Sequence, residues 1–197
     1  MLKLFISYSH TDESKVCDFI TYMTPLTTGE NNLLDIWYDR NIKAGDDFWD
    51  EIDSHLADRD IVCLFLSKDY IASGACRHEM EKALEMRQRY GIMVIPVILS
   101  KCRWLEVNPN LKKLLAATKD AKEINSYPTE DEGWDDVYEH LKDAAESYSS
   151  IKKLSLTDDF KDFLNDAALL AKAHSEKAKL TLDDISLVSN KTGQFDL

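Results

Sequence analysis

From residue 2 to about residue 148, short apolar runs alternate with stretches whose apolar residues recur every three or four positions. That rhythm predicts strands interleaved with helices. Leu2 to Ser7 predicts a first strand, and Thr11-Asp12 is the polar signal that opens a helix. The helix extends from about Asp12 to Met23, because Val16, Phe19, Ile20 and Met23 fall on one face, and Pro25 and Gly29 are expected to end it. Leu33 to Tyr38 predicts a second strand. A loop from Asp39 to Asp46 follows, then a helix carrying Phe48, Trp49, Ile52 and Leu56. Ile61 to Leu66 is apolar at every position, as a central strand covered on both faces must be. Ser67 to Ser73 leads into a helix from about Gly74 to Tyr90, closed by Gly91, and Met93 to Leu99 supplies a fourth strand. A weak fifth strand is expected near Ala121 to Asn125.

Between Glu130 and Ser147 an acidic face accompanies Trp134, Val137, Leu141 and Ala145, which predicts a closing amphipathic helix. The alternation then stops, placing a domain boundary near residue 150. The remaining segment, 151–197, carries Phe160, Phe163, Leu164, Ala167, Leu170 and Ala171 at helical spacing and is expected to be a helical extension. Its apolar stripe needs a cover, either the preceding domain or a further module. The fold class is therefore α/β, a flavodoxin-like doubly wound parallel sheet over residues 1–150 with a helical C-terminal extension. In such sheets ligands bind beyond the carboxyl ends of the strands, near the point where strand order reverses. The loops Tyr8 to Thr11, Asp39 to Asp47 and Ser67 to Glu79 share that rim. The cleft is expected between Tyr8-Ser9-His10 and Glu79.

Composition narrows the function. Hydrophobic residues make up 44% of the 197 residues, enough for a real core. Thirty-six acidic against 24 basic residues give a formal charge of −12, a field that repels phosphate backbones and anionic membrane surfaces. Direct nucleic-acid binding and membrane anchoring are not expected. The longest apolar stretches fall well short of the roughly 20 residues that cross a bilayer, and Met1 to Ile6 lacks the features of a signal peptide, so a cytoplasmic location is expected. The four cysteines form no C-x-x-C pair, and Cys17 and Cys63 sit in apolar contexts suited to buried, reduced thiols.

Several catalytic templates fail. The six glycines build neither G-x-G-x-x-G nor a Walker phosphate loop, which argues against a retained dinucleotide and against NTP hydrolysis. His78-Glu79-Met80-Glu81-Lys82 begins like a zinc-protease helix but has Lys82 where the second histidine belongs, so no metal is expected. No serine lies in a G-x-S-x-G elbow, and Cys76 and His78, two apart on a helix, face different ways. Glu79 remains, a carboxylate early in a helix on a rim that also offers Asp39, Tyr8, Ser9 and His10. Each has an ordinary structural role: Glu79 could complement the helix dipole, Asp39 could open a turn, His10 could be a solvated loop residue, and Tyr8 could simply pack.

Five segments in order resemble the Toll/interleukin-1 receptor (TIR) domains, the bacterial ones in particular. Leu4-Phe5-Ile6-Ser7-Tyr8-Ser9 is similar to the family's first box, Trp37 to Asp46 to its BB loop, and Ile61 to Ser67 to its third strand. Ser73 to Met80 resembles the segment bearing the family's catalytic glutamate, and Val94 to Leu99 its fourth strand. One departure is Ala75, where many relatives carry Trp four residues before the glutamate.

The resemblance implies an enzyme that cleaves the nicotinamide glycosidic bond of NAD+, releasing linear or cyclic ADP-ribose. Glu79 matches the catalytic residue. Tyr8, Ser9, His10 and Cys76 match substrate-contacting segments, as do Asp39 and Lys43 of the BB loop. NAD+ would then be a consumed substrate and no cofactor is implied, in keeping with the missing dinucleotide fingerprint. An ionised Glu79, favoured by the helix N-terminus, could stabilise the oxocarbenium-like ribose. The family also implies self-association, a role in bacterial antiphage defence, and a C-terminal sensor or NTPase module beyond the tail. Its other members act as adaptors that assemble through their BB loops without catalysis, and that alternative stays open on sequence alone.

Overall fold

The computed structural model describes residues 1–29, 32–38 and 58–154, with Lys153 and Leu154 by backbone only. The predicted loop and helix between Asp39 and Leu56, including Asp39, Lys43 and Gly45, lie outside the described residues, as does the tail beyond Leu154. The chain divides into two units, Met1–Ser147 and Tyr148–Leu197.

The strands are β1 (Leu2–Ser7), β2 (Leu34–Trp37), β3 (Ile61–Leu66) and β4 (Met93–Ile98). They form one parallel sheet in the order β2-β1-β3-β4. This is the flavodoxin-like arrangement, with its reversal between β1 and β3. Leu4 pairs with Ile61 and Ser7 with Leu64, so the end of β1 sits beside the middle of β3.

Every residue of β3 is buried, which explains its unbroken apolar run. Val62, Leu64 and Leu66 face one side and join Phe5, Met80, Ala83 and Met86 in a single core cluster. On the other side Phe65 meets Phe19 edge to face at 5.2 Å and stacks on Trp134 at 6.3 Å. Phe19 belongs to α1 (Glu13–Tyr22) and Trp134 to a long terminal helix starting at Glu130. The sheet is thus covered on both faces, as a doubly wound fold requires.

Between them lie α2 (Thr24–Thr27), α3 (Lys68–Ala72) and α4 (Gly74–Tyr90), and Glu130–Leu154 is α5. Helix α4 ends as expected, because Gly91 takes φ 70°, a left-handed conformation that a side chain disfavours. Its buried residues, Cys76, Glu79, Met80, Ala83 and Met86, fall on one face at helical spacing. In α5 the predicted stripe is buried throughout: Trp134, Val137, Leu141 and Ala145 are each no more than 1% exposed.

Helix α1 ends at Tyr22, as expected, and Pro25 occupies the first turn of the separate helix α2, where its missing N–H costs nothing. Three expectations need correction. No strand forms near Ala121 to Asn125, where 3-10 turns span Lys119–Ala121 and Ile124–Ser126. Asp120 and Ala121 take positive φ there, which breaks an extended path. Cys17 is exposed, because the inward face of α1 is set by Val16 and Phe19, whereas Cys63 is buried as expected. Finally, α5 runs on to Leu154, past Ser147 where the closing helix was expected to end.

Candidate active site

The carboxyl end of β1 delivers Ser7, Tyr8, Ser9 and His10 in succession. Strand alternation aims Ser7 to the same side as Phe5, toward α4. Tyr8 is buried, stacks on the exposed His10 ring at 5.9 Å, and meets Tyr38 at 6.3 Å. Ser9 is buried as well, and its carbonyl accepts from the Asp12 N–H at 2.7 Å, closing the turn that leads into α1.

After β3 the chain makes two successive serine caps. Ser67 accepts from the Tyr70 N–H at 3.0 Å to start α3, and Ser73 accepts from the Cys76 N–H at 3.3 Å to start α4. With the cap supplied by Ser73, Glu79 is free of that duty and lies in the second turn, only 8% exposed. Its Oε2 accepts a 2.5 Å hydrogen bond from the Ser7 hydroxyl. The Ser7 oxygen is also 2.8 Å from the Tyr70 phenol, itself fully buried. One turn before Glu79, the Cys76 thiol donates to the Tyr8 carbonyl at 3.3 Å. Cys76 and His78 do face apart, the first buried and the second exposed.

Burial dominates the electrostatics. It drives the Tyr70 phenol well above its ordinary range, and the negative field of Glu79 adds to the effect. The Cys76 thiol is pushed up to about 11, first by burial, with Glu79 and Asp12 contributing. Asp12 is raised too, chiefly by burial, although Ser67 donates to its Oδ2 at 2.5 Å and partly offsets the rise.

Of the residues singled out in the sequence, Glu79, Cys76, Tyr8, Ser9 and His10 therefore come together on the rim beyond β1 and β3. Asp39 and Lys43 lie outside the described residues. Sequence reasoning passed over Ser7, Tyr70, Asp12 and Ser67. A signal existed for the core of this group: Glu79 occupies an inward position in an apolar stripe, and a buried carboxylate needs donors. The strand end directly upstream of Tyr8 was the natural place to seek one.

Residues 4–125 match the model of the TIR domain family, and the chain belongs to that family. The family includes NAD-cleaving enzymes and scaffolds alike. A protein of Sinorhizobium fredii (strain NBRC 101917 / NGR234), described as uncharacterized protein y4lF, is 35% identical over 146 residues. The match takes in 74% of this chain and 44% of that relative, so the chain spans less than half the relative's length. Among solved structures, it is similar to the TIR domains of the activated Roq1 resistosome, which directly recognizes the pathogen effector XopQ. That match has 17% identity and a TM-score of 0.44, over 72% of this chain and 84% of the other. Among the described residues no helix is long and apolar enough to cross a membrane.

Proposed function

We propose that this chain is an NAD+ glycohydrolase, cleaving NAD+ to nicotinamide and ADP-ribose or a cyclic isomer. The observation that carries this reading is Glu79, a carboxylate buried at the strand-order reversal and held by Ser7 at 2.5 Å. A buried carboxyl group is costly unless hydrogen-bonded, and one kept in that setting at such a cleft is a candidate for chemistry. In the reaction the bond between ribose C1′ and the nicotinamide nitrogen breaks, and its electron pair leaves with neutral nicotinamide. The resulting ribose cation is stabilised by the Glu79 carboxylate, then captured by water or by a nucleophile within the same molecule.

In this reading Tyr8, Ser9, His10 and Cys76, with Asp39 and Lys43, contact the dinucleotide, NAD+ is consumed, and no cofactor is needed. Self-association through TIR domains activates the protein, and its role is cytoplasmic antiphage defence. A longer protein with a C-terminal sensor or NTPase module fits the greater length of the relative.

The test is to incubate concentrated protein with NAD+ and resolve nicotinamide and ADP-ribose species by chromatography, with Glu79→Gln alongside. Nicotinamide release that disappears in a folded Glu79→Gln variant supports the reading. Undiminished release by that variant would overturn the role of Glu79, and no release by concentrated wild type would leave an adaptor.

A further inference from the structure

A serine hydroxyl carries one proton, so its hydrogen bonds have a direction. Ser7 gives that proton to Glu79 Oε2 at 2.5 Å. Its 2.8 Å contact with Tyr70 must therefore run the other way, the phenol donating to the serine oxygen. Tyr70 can fill that part across the working pH range, because burial holds its phenol protonated. The three groups form a hydrogen-bonded chain in which Tyr70 donates to Ser7 and Ser7 to Glu79, contributed by α3, β1 and α4. Ser7 is 1% exposed and Tyr70 fully buried, so neither hydroxyl is set out to meet a dinucleotide.

We propose that Ser7, oriented by Tyr70, is a positioning residue for Glu79, fixing the carboxylate in one rotamer aimed at the reacting ribose carbon. The proposal deepens the NAD+-cleaving reading and rests on it for the reaction, while the clamp itself can be tested without any substrate. Strand β1 is a rigid mount at the centre of the sheet, whereas a glutamate side chain alone has three soft torsions. A donor chain whose first member is a buried phenol also polarises the serine O–H, strengthening its bond to the carboxylate.

Two features keep the readout clean. Tyr70 of α3 and Cys76 of α4 are titratable groups whose fields reach Glu79, and burial moves both upward, away from the acidic range. Asp12 is a second acid near Cys76, and it has its own serine donor in Ser67. The exposed His10 stacks on Tyr8, and His78 is exposed on α4.

The experiment uses the full chain and the variants Ser7→Ala, Ser7→Thr and Tyr70→Phe. The first readout is the pH profile of kcat and KM for NAD+ cleavage. Loss of a donor to the carboxylate disfavours its charged form, so the acid limb of kcat moves upward by about one to two pH units in Ser7→Ala. At the plateau kcat falls at least tenfold with KM little changed, Tyr70→Phe gives a smaller effect of the same sign, and Ser7→Thr restores most of the loss. The second readout is the carbon-13 carboxyl resonance of Glu79, assigned by its absence in Glu79→Gln and titrated without NAD+. Its midpoint moves up in Ser7→Ala, while that of Asp12 stays in place.

A movement of the Glu79 resonance without any NAD+ turnover by wild type would keep the clamp and sink the proposed reaction. Unchanged kcat, limb and resonance in folded Ser7→Ala would sink the clamp while leaving the reaction standing. Failure of both Ser7→Ala and Tyr70→Phe to fold would also overturn it, since the hydroxyls would then serve the fold rather than the carboxylate.

Discussion

Phe19 of α1 and Trp134 of α5, 115 positions apart in the chain, meet at 6.1 Å between ring centroids on one face of the sheet. Phe65 of the central strand touches both rings, so three distant elements share one aromatic cluster. Trp134 is 1% exposed, and removing it would leave a large void in a close-packed layer. Trp134→Ala is expected to cost about 3–5 kcal/mol. Urea denaturation followed by tyrosine fluorescence measures it, and a cost under about 1 kcal/mol would mean that α5 is not part of this core.

The two glycines that bracket α4 should respond in opposite directions. Gly91 has φ 70° with nothing within 4 Å of an added Cβ, so Gly91→Ala meets backbone strain and no clash. We expect a loss of about 1 kcal/mol, a fall in Tm of about 2–4 °C for a domain of this size. Gly74 opens the same helix with equally open space and no positive φ. Gly74→Ala should stabilise by about 0.4–1 kcal/mol through the unfolded chain. Calorimetry of both variants decides, and equal effects would refute the conformational argument.

Thiol chemistry should sort the cysteines by burial. Cys63 is wholly buried and its thiol is pushed up to about 12, and Cys76 to about 11. Because the thiolate is the reactive form, each has less of it at pH 8 than an ordinary cysteine, and access is restricted as well. Iodoacetamide at pH 8 should label the exposed Cys17 in the native protein, leaving Cys63 and Cys76 unmodified until denaturant is added. Peptide mass spectrometry reads the pattern, and rapid native labelling of Cys63 would contradict its placement in β3.

If self-association completes the active form, specific activity should climb steeply with protein concentration. A dilution series over about a hundredfold, with light scattering on the same samples, checks this, given that closed symmetric assemblies are the usual form of self-association. Flat specific activity from monomers would remove the assembly requirement from the proposed function.

Much of the architecture was legible because it rests on periodicity within single elements. An apolar run with no polar position specified β3 as a strand covered on both faces. The 3.6-residue recurrence of Trp134, Val137, Leu141 and Ala145 specified the inward face of α5, and Gly91 specified where α4 stops. Glu79 was visible as a carboxylate early in a helix, and Tyr8, Ser9 and His10 as a loop at a strand end. What tertiary structure alone decided is which elements abut. Ser7 and Glu79 are 72 positions apart, and Ser7 and Tyr70 are 63, yet the three form one bonded chain. Periodicity reports that a residue faces inward but not what it meets there. The partner depends on sheet order, on the register that sets Ser7 beside Leu64, and on the serine caps that start α3 and α4. The same limit accounts for Cys17, whose apolar neighbours in sequence lie on a different side of the helix, and for the missing fifth strand. There, left-handed backbone at Asp120 and Ala121 breaks the extended path, although Ala117 and Asn125 on either side donate to the Pro96 and Leu99 carbonyls along the edge of β4.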